Sequence, residues 1–97
     1  MVEFTIKDGK LICTFSQRLD TVHCSECEAD LYLKMRQSKL PVTFDLQGID
    51  YVSSAFLRIC LGFAKEIGRE NFSLVNLCPS VKKVFKIAGF DQLMTIA

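Results

Sequence analysis

No run of apolar residues in this 97-residue chain approaches the roughly eighteen that a bilayer-spanning helix needs, because Lys, Arg, Asp or Glu interrupts the apolar stretches every few positions. No segment is therefore expected to cross a membrane. Excess charge of one sign is also lacking. Twelve Lys and Arg face eleven Asp and Glu, a net charge of +1, so no long-range field draws the molecule to nucleic acid or an anionic surface. The opening residues Met1, Val2, Glu3 and Phe4 lack the basic start and apolar block of a secretory signal, which leads to the expectation of a cytoplasmic protein. Pro, Gly and Ser nowhere cluster into a linker, and no repeat or low-complexity stretch is present. There is no G-x-S-x-G elbow and no evident pair of catalytic carboxylates. The single histidine, His23, has no nucleophile that spacing alone sets beside it. His23 is therefore expected to be a surface histidine rather than a catalytic base.

What is present is apolar content: 49% of residues are hydrophobic and 24% charged. That is enough for one domain, residues 1–97, with a sizeable core, and too little chain for two. Five cysteines, an odd number, read as mostly free thiols.

Along the chain, Val2 to Ile6 and Lys10 to Phe15 are strand-like, with Lys7, Asp8 and Gly9 as a hairpin turn between them. From Asp20 or Thr21, either of which can serve as N-cap, the period becomes helical. Val22, Ala29 and Leu33, with Cys27 and Leu31 beside them, return up to Met35 as the inner face. Val42 to Leu46 reads as a central strand closed by Gln47 and Gly48.

Ser54 to Ile67 is an amphipathic helix with Phe56, Cys60, Phe63, Ala64 and Ile67 on one side. Arg58, Gly62, Lys65 and Arg69 lie on the other, and Gly68 sits where a left-handed cap belongs. Asn71 to Asn76 is a further strand. Pro79 opens a last helix, with Val81, Val84, Phe85 and Ala88 inward and Gly89 as its stop. Leu93 to Ile96 can add an edge strand. The order β, β, α, β, α, β, α, β predicts an α/β domain, largely parallel, with antiparallel pairing in the opening hairpin.

Three features bear on chemistry. Cys24 and Cys27 form a C-x-x-C preceded by His23, spaced to face one way on a helix; they read chiefly as core, with a thiol or metal sensor as the functional alternative. Lys82, Lys83 and Lys86 lie away from the apolar side of the last helix and read as a solvated face, not a nucleic-acid site. Ser53 and Ser54 stand where a loop enters a helix. There a serine is first an N-cap, and a phosphate on it would meet unpaired N–H groups and the positive end of the helix dipole.

The stretch Phe44, Asp45, Leu46, Gln47, Gly48, Ile49, Asp50, Tyr51, Val52, Ser53, Ser54, Ala55, Phe56, Leu57 resembles the signature of STAS domains of the anti-sigma factor antagonist type. Aligned on Leu57, the family's acceptor serine falls on Ser54, its acid on Ser53, its small residue on Ala55 and its glycine on Phe56. The acid and the glycine are thus replaced, and the wheel turns Phe56 toward the sheet. Leu19 and Asp20 match the aliphatic-Asp pair ahead of the first helix, with Gln17 where the family has glycine. Pro79 and Val81, and then Gly89 and Phe90, match the ends of the last helix.

The resemblance implies a STAS-like fold: a mixed sheet of four to five strands with helices mainly on one face. It implies a protein-binding module rather than an enzyme, with no cofactor, whose partner is an anti-sigma factor and serine kinase of the histidine-kinase-like ATPase class. Phosphorylation would fall on Ser54, with Ser53 as the alternative, and partner binding on Asp20, Ser53, Ser54, Ala55 and Arg58. It also leaves room for an unmodified scaffold or sensor subunit of a stress-signalling or transport complex.

Overall fold

Asp8 and Gly9, both at positive φ (53° and 75°), form a two-residue turn whose twist suits a hairpin. They close β1 (Val2–Lys7) onto β2 (Lys10–Phe15), with Lys7 opposite Lys10. In this computed structural model, which describes residues 2–16 and 18–97, the chain continues through α1 (Thr21–Ser38), β3 (Val42–Asp45), α2 (Ser54–Ile67), β4 (Phe72–Val75), α3 (Pro79–Ile87) and β5 (Thr95–Ile96). The family's glycine position at Gln17 lies outside the described residues.

The sheet has five strands in the order β1-β2-β3-β4-β5, antiparallel at β1/β2 and parallel elsewhere. Each crossover moves one strand onward in the same direction, so right-handed connections put all three helices on one face. Register agrees with this. Leu11, Cys13, Val42, Phe44, Phe72 and Leu74 share the covered face and are all buried, while Thr14, Asp45, Ser73 and Val75 on the other face are only partly so. On that bare face Thr43 and Ser73 join hydroxyls at 3.0 Å.

Phe44 is the centre of the core, with Phe15, Phe56, Phe63 and Phe72 all within 5.7 Å of its ring. Burying an aromatic side chain of this size contributes roughly 1.5–3 kcal/mol, so this quintet fixes the height of α2 above the sheet. The glycine replacement at Phe56 is explained here: its ring is fully buried against Phe15 and Phe44.

Two helix faces differ from the sequence reading. On α1 the buried row is Cys24, Leu31 and Met35, whereas Val22 and Leu33 are 65% and 55% exposed and Ala29 faces solvent. Apolar residues occur all around this helix, and its contacts with β2 and α2 select the row. On α3 only Val81 and Phe85 are buried; Val84 and Ala88 are exposed, because the short helix touches the core along a single line.

Two glycines also differ. Gly68 caps α2 with its N–H on the Ala64 carbonyl, but its φ of 89° and ψ of 154° lie outside the left-handed helical region. Gly62 does not face solvent: a Cβ there would run into the Tyr32 hydroxyl, so α1 and α2 approach closely at this point. Tyr32 also packs on Phe63 at 4.7 Å, and Arg36 grips Glu66 through two hydrogen bonds of 2.8 and 2.9 Å.

Candidate functional site

The loop from β3 to α2 is set by three local devices. Asp45 accepts from the Gln47 N–H at 3.1 Å and from the Asn76 amide at 2.9 Å, fastening the end of β3 to the end of β4. Leu46 to Ile49 then turns, with the Ile49 N–H on the Leu46 carbonyl at 3.0 Å and Gly48 at φ 80°, a position that favours glycine. Finally Val52 forms a parallel bridge with Leu19: the Ser53 N–H donates to the Leu19 carbonyl at 2.8 Å, and the Leu19 N–H to the Tyr51 carbonyl at 3.4 Å.

That bridge holds the N-termini of α1 and α2 side by side. Asp20 caps α1, its carboxylate accepting from the His23 N–H at 2.9 Å, and Ser53 caps α2, its hydroxyl accepting from the Phe56 N–H at 3.4 Å. The hydrogen bond from the His23 N–H, with the imidazole beside it, holds the Asp20 carboxyl below its usual range.

The two serines now separate by role. Ser53 is 7% exposed, lies with its hydroxyl 3.9 Å from Cys24 Sγ, and is spent on the cap. Ser54, the first residue of α2, is exposed. Ala55 and Phe56 are buried behind it, and Arg58, one turn along the helix, is exposed. Of the five residues expected at the interface, Ser54 and Arg58 face outward and Asp20 is partly exposed, whereas Ser53 and Ala55 act from within.

At these helix mouths Arg18 and Tyr51 escaped the sequence reading, and Val22 was read as facing inward. Tyr51 is 41% exposed with the Arg18 guanidinium 4.4 Å above its ring, and Val22 projects from the first turn of α1. An aromatic in a polar loop was the available signal for Tyr51. The register bridge that brings it beside α1 has no signature in sequence.

The cysteine cluster offers no comparable site. Cys24 is buried in the core, and the Cys27 thiol donates to the Cys24 carbonyl at 3.7 Å. Burial raises both thiols, Cys27 to about 11, and likewise Cys13 to about 12; the Cys60 thiol is raised too. Thiols so raised are poor nucleophiles. Among the described residues no group of three or more His, Cys, Asp and Glu is placed to hold a metal ion.

His23 is half-buried rather than on the surface as a free histidine. Its Nδ1 is 2.9 Å from Asp20 Oδ1 but off the line of a hydrogen bond. With Cys27, Glu26 and Asp30 it lines a cavity of about 200 Å³ floored by Val2, Phe4, Phe15 and Leu19. No helix is long and apolar enough to cross a membrane among the described residues.

The arrangement provides an exposed hydroxyl at the positive end of a fourteen-residue helix, with Arg18, Tyr51, Val22 and Arg58 also exposed at or near the two helix mouths. That is a surface for recognition. Comparison with known proteins agrees with the architecture. A candidate anti-sigma factor antagonist of Bordetella bronchiseptica, BtrV, is 34% identical over 92 residues, covering 93% of this chain and 79% of that protein.

Among solved structures, the anti-sigma factor antagonist SpoIIAA in its unphosphorylated form superposes with a TM-score of 0.80 at 19% identity, covering 100% of this chain and 88% of that one. The phosphorylated form of the Bacillus cell fate determinant SpoIIAA gives 0.72 at 18% identity, covering 100% and 91%. These two likenesses concern the fold. The STAS domain family matches residues 1–97, and with the sheet order, the capped helix mouths and this relative in agreement, the chain belongs to that family.

Proposed function

We propose that this protein is an anti-sigma factor antagonist, a binding module without catalysis of its own, switched by phosphorylation of Ser54 in the cytoplasm. The supporting observation is the division of labour at the head of α2: Ser53 is buried and caps the helix, while the neighbouring Ser54 is exposed. The partner is an anti-sigma factor that is also a serine kinase of the histidine-kinase-like ATPase class. It docks over Ser54, Arg58 and the adjoining mouth of α1 around Asp20. The names of BtrV and of SpoIIAA, the latter solved with and without phosphate, lend weight to this reading.

In the switching step Ser54 Oγ attacks the γ-phosphorus of ATP held by the kinase. The bond from that phosphorus to the β,γ-bridging oxygen breaks, ADP leaves, and the hydroxyl proton passes to a base of the kinase. The product carries nearly two negative charges on a surface that the partner must desolvate, which ejects it unless an arginine of the partner compensates.

Incubation with the cognate kinase and ATP, read by mass spectrometry, should add one phosphate to Ser54. Ser54→Ala should resist modification and keep binding, and Ser54→Asp should weaken the complex. A phosphate on Ser53, or none, would count against the switch. The serine in place of the family's acid at Ser53 favours one second reading, an unmodified subunit of a larger signalling or transport assembly, which co-purification of stable partners in place of a kinase would select.

A further inference from the structure

β1 forms a free edge of the sheet, and nothing among the described residues pairs with its outer side. The hairpin fixes which backbone groups point that way. Lys7 and Lys10 close a two-residue turn and therefore form a hydrogen-bonded pair, so the N–H and C=O groups of Lys7, Thr5 and Glu3 face β2. Those of Ile6, Phe4 and Val2 face outward.

Side chains alternate independently of this. Phe4 and Ile6 lie opposite Cys13 and Leu11 on the helix-bearing face, and Glu3, Thr5 and Lys7 lie on the bare one. Ile6 is 64% exposed although its cross-strand partner Leu11 is buried, so the covered face runs out to the edge without being closed there.

An isolated charged residue on an edge strand usually discourages pairing with another chain. Here the two charges are of opposite sign and four positions apart, centred on Thr5. We propose that this edge is self-complementary and that two copies of the chain associate through antiparallel pairing of β1 about a two-fold axis at Thr5, continuing the sheet from one copy into the other.

In that register Phe4 of each copy stands opposite Ile6 of the other. Both residues point their N–H and C=O groups outward, so the backbone phase is right for a hydrogen-bonded pair, and symmetry supplies it twice. Glu3 of each copy stands opposite Lys7 of the other as a non-hydrogen-bonded pair, where side chains come closest, and the two Thr5 side chains meet on the axis.

Neighbouring registers that keep the backbone phase lose these pairs. Centring on Phe4 sets Glu3 against Thr5. Centring on Ile6 sets Lys7 against Thr5 and drives Phe4 against Asp8 in the turn. Centring on Glu3 opposes the two glutamates. The strand contact is short, which places the association in the weak, concentration-dependent class.

Analytical ultracentrifugation of the whole chain over a range of concentrations tests this. The wild-type protein should show a monomer–dimer equilibrium. Ile6→Pro removes only an outward N–H and an exposed side chain, and should give a monomer with an unchanged thermal unfolding profile. Glu3→Lys and Lys7→Glu should each raise the dimer dissociation constant roughly tenfold or more, since like charges then face each other at two positions.

Mixing the two charge variants should restore association as a heterodimer, because every facing pair is again of opposite sign. A wild-type chain that stays monomeric up to about millimolar concentration would overturn the proposal. So would a dimer that survives Ile6→Pro, or a mixture of the folded charge variants that does not associate.

Discussion

At the residue scale, the adjacent serines make different predictions for stability. Ser53→Ala removes the hydroxyl that receives the Phe56 N–H. It should destabilise the domain by about 0.5–1 kcal/mol, the low end for a cap because the 3.4 Å bond is long. Ser54→Ala, at an exposed position, should stay within about 0.5 kcal/mol of wild type; chemical denaturation of the two variants measures both.

Asp20 supplies a pH dependence. Its carboxyl is held below the usual value in the folded protein, so it contributes stability above the unfolded-state pKa, and that contribution is lost as pH falls through the folded-state value. Asp20→Asn keeps a capping side chain but removes the titration. Its denaturation midpoint should therefore trail wild type near neutrality and converge on it as pH falls below about 4, a comparison that urea titrations at several pH values provide.

At the scale of elements, α2 separates the effect of a phosphate on the domain from its effect on a partner. A negative charge on the first residue of a helix is favourable to that helix by about 0.3–1 kcal/mol. Ser54→Asp should thus raise the unfolding midpoint of the isolated domain while lowering affinity for the proposed partner. A drop in both would mean that the charge acts by disturbing the fold.

Elements also differ in how well the sequence announced them. The span of α2 matches its pattern residue for residue, Ser54 to Ile67, because its apolar and polar sides are sharply divided. In α1, apolar Val22 and Leu33 compete with Cys24, Leu31 and Met35 for the same sheet, and only packing decides between them. In α3 the helix is nine residues long and rests on Val81 and Phe85 alone, too narrow a footing for periodicity to separate Val84 from the core.

At the scale of the whole molecule, a largely parallel sheet with an antiparallel opening hairpin was legible because strand and helix signals alternate and crossovers are right-handed, whereas the order of the five strands within the sheet is seen only in the fold. Ser53 and Ser54 were legible as a pair at a helix mouth, and the family resemblance singled out Ser54; which of the two caps the helix is seen only in the fold. What sequence could not carry were contacts between distant segments: Gly62 under Tyr32, Asn76 on Asp45, and above all Leu19 on Val52. The last of these has a mechanical consequence. A loop stitched to its neighbour by two backbone hydrogen bonds cannot swing out to meet a visitor, so an incoming protein encounters a rigid socket and must itself do the adapting. Free and captured forms of this domain should superpose, and the heat signature of capture should carry little contribution from ordering this side.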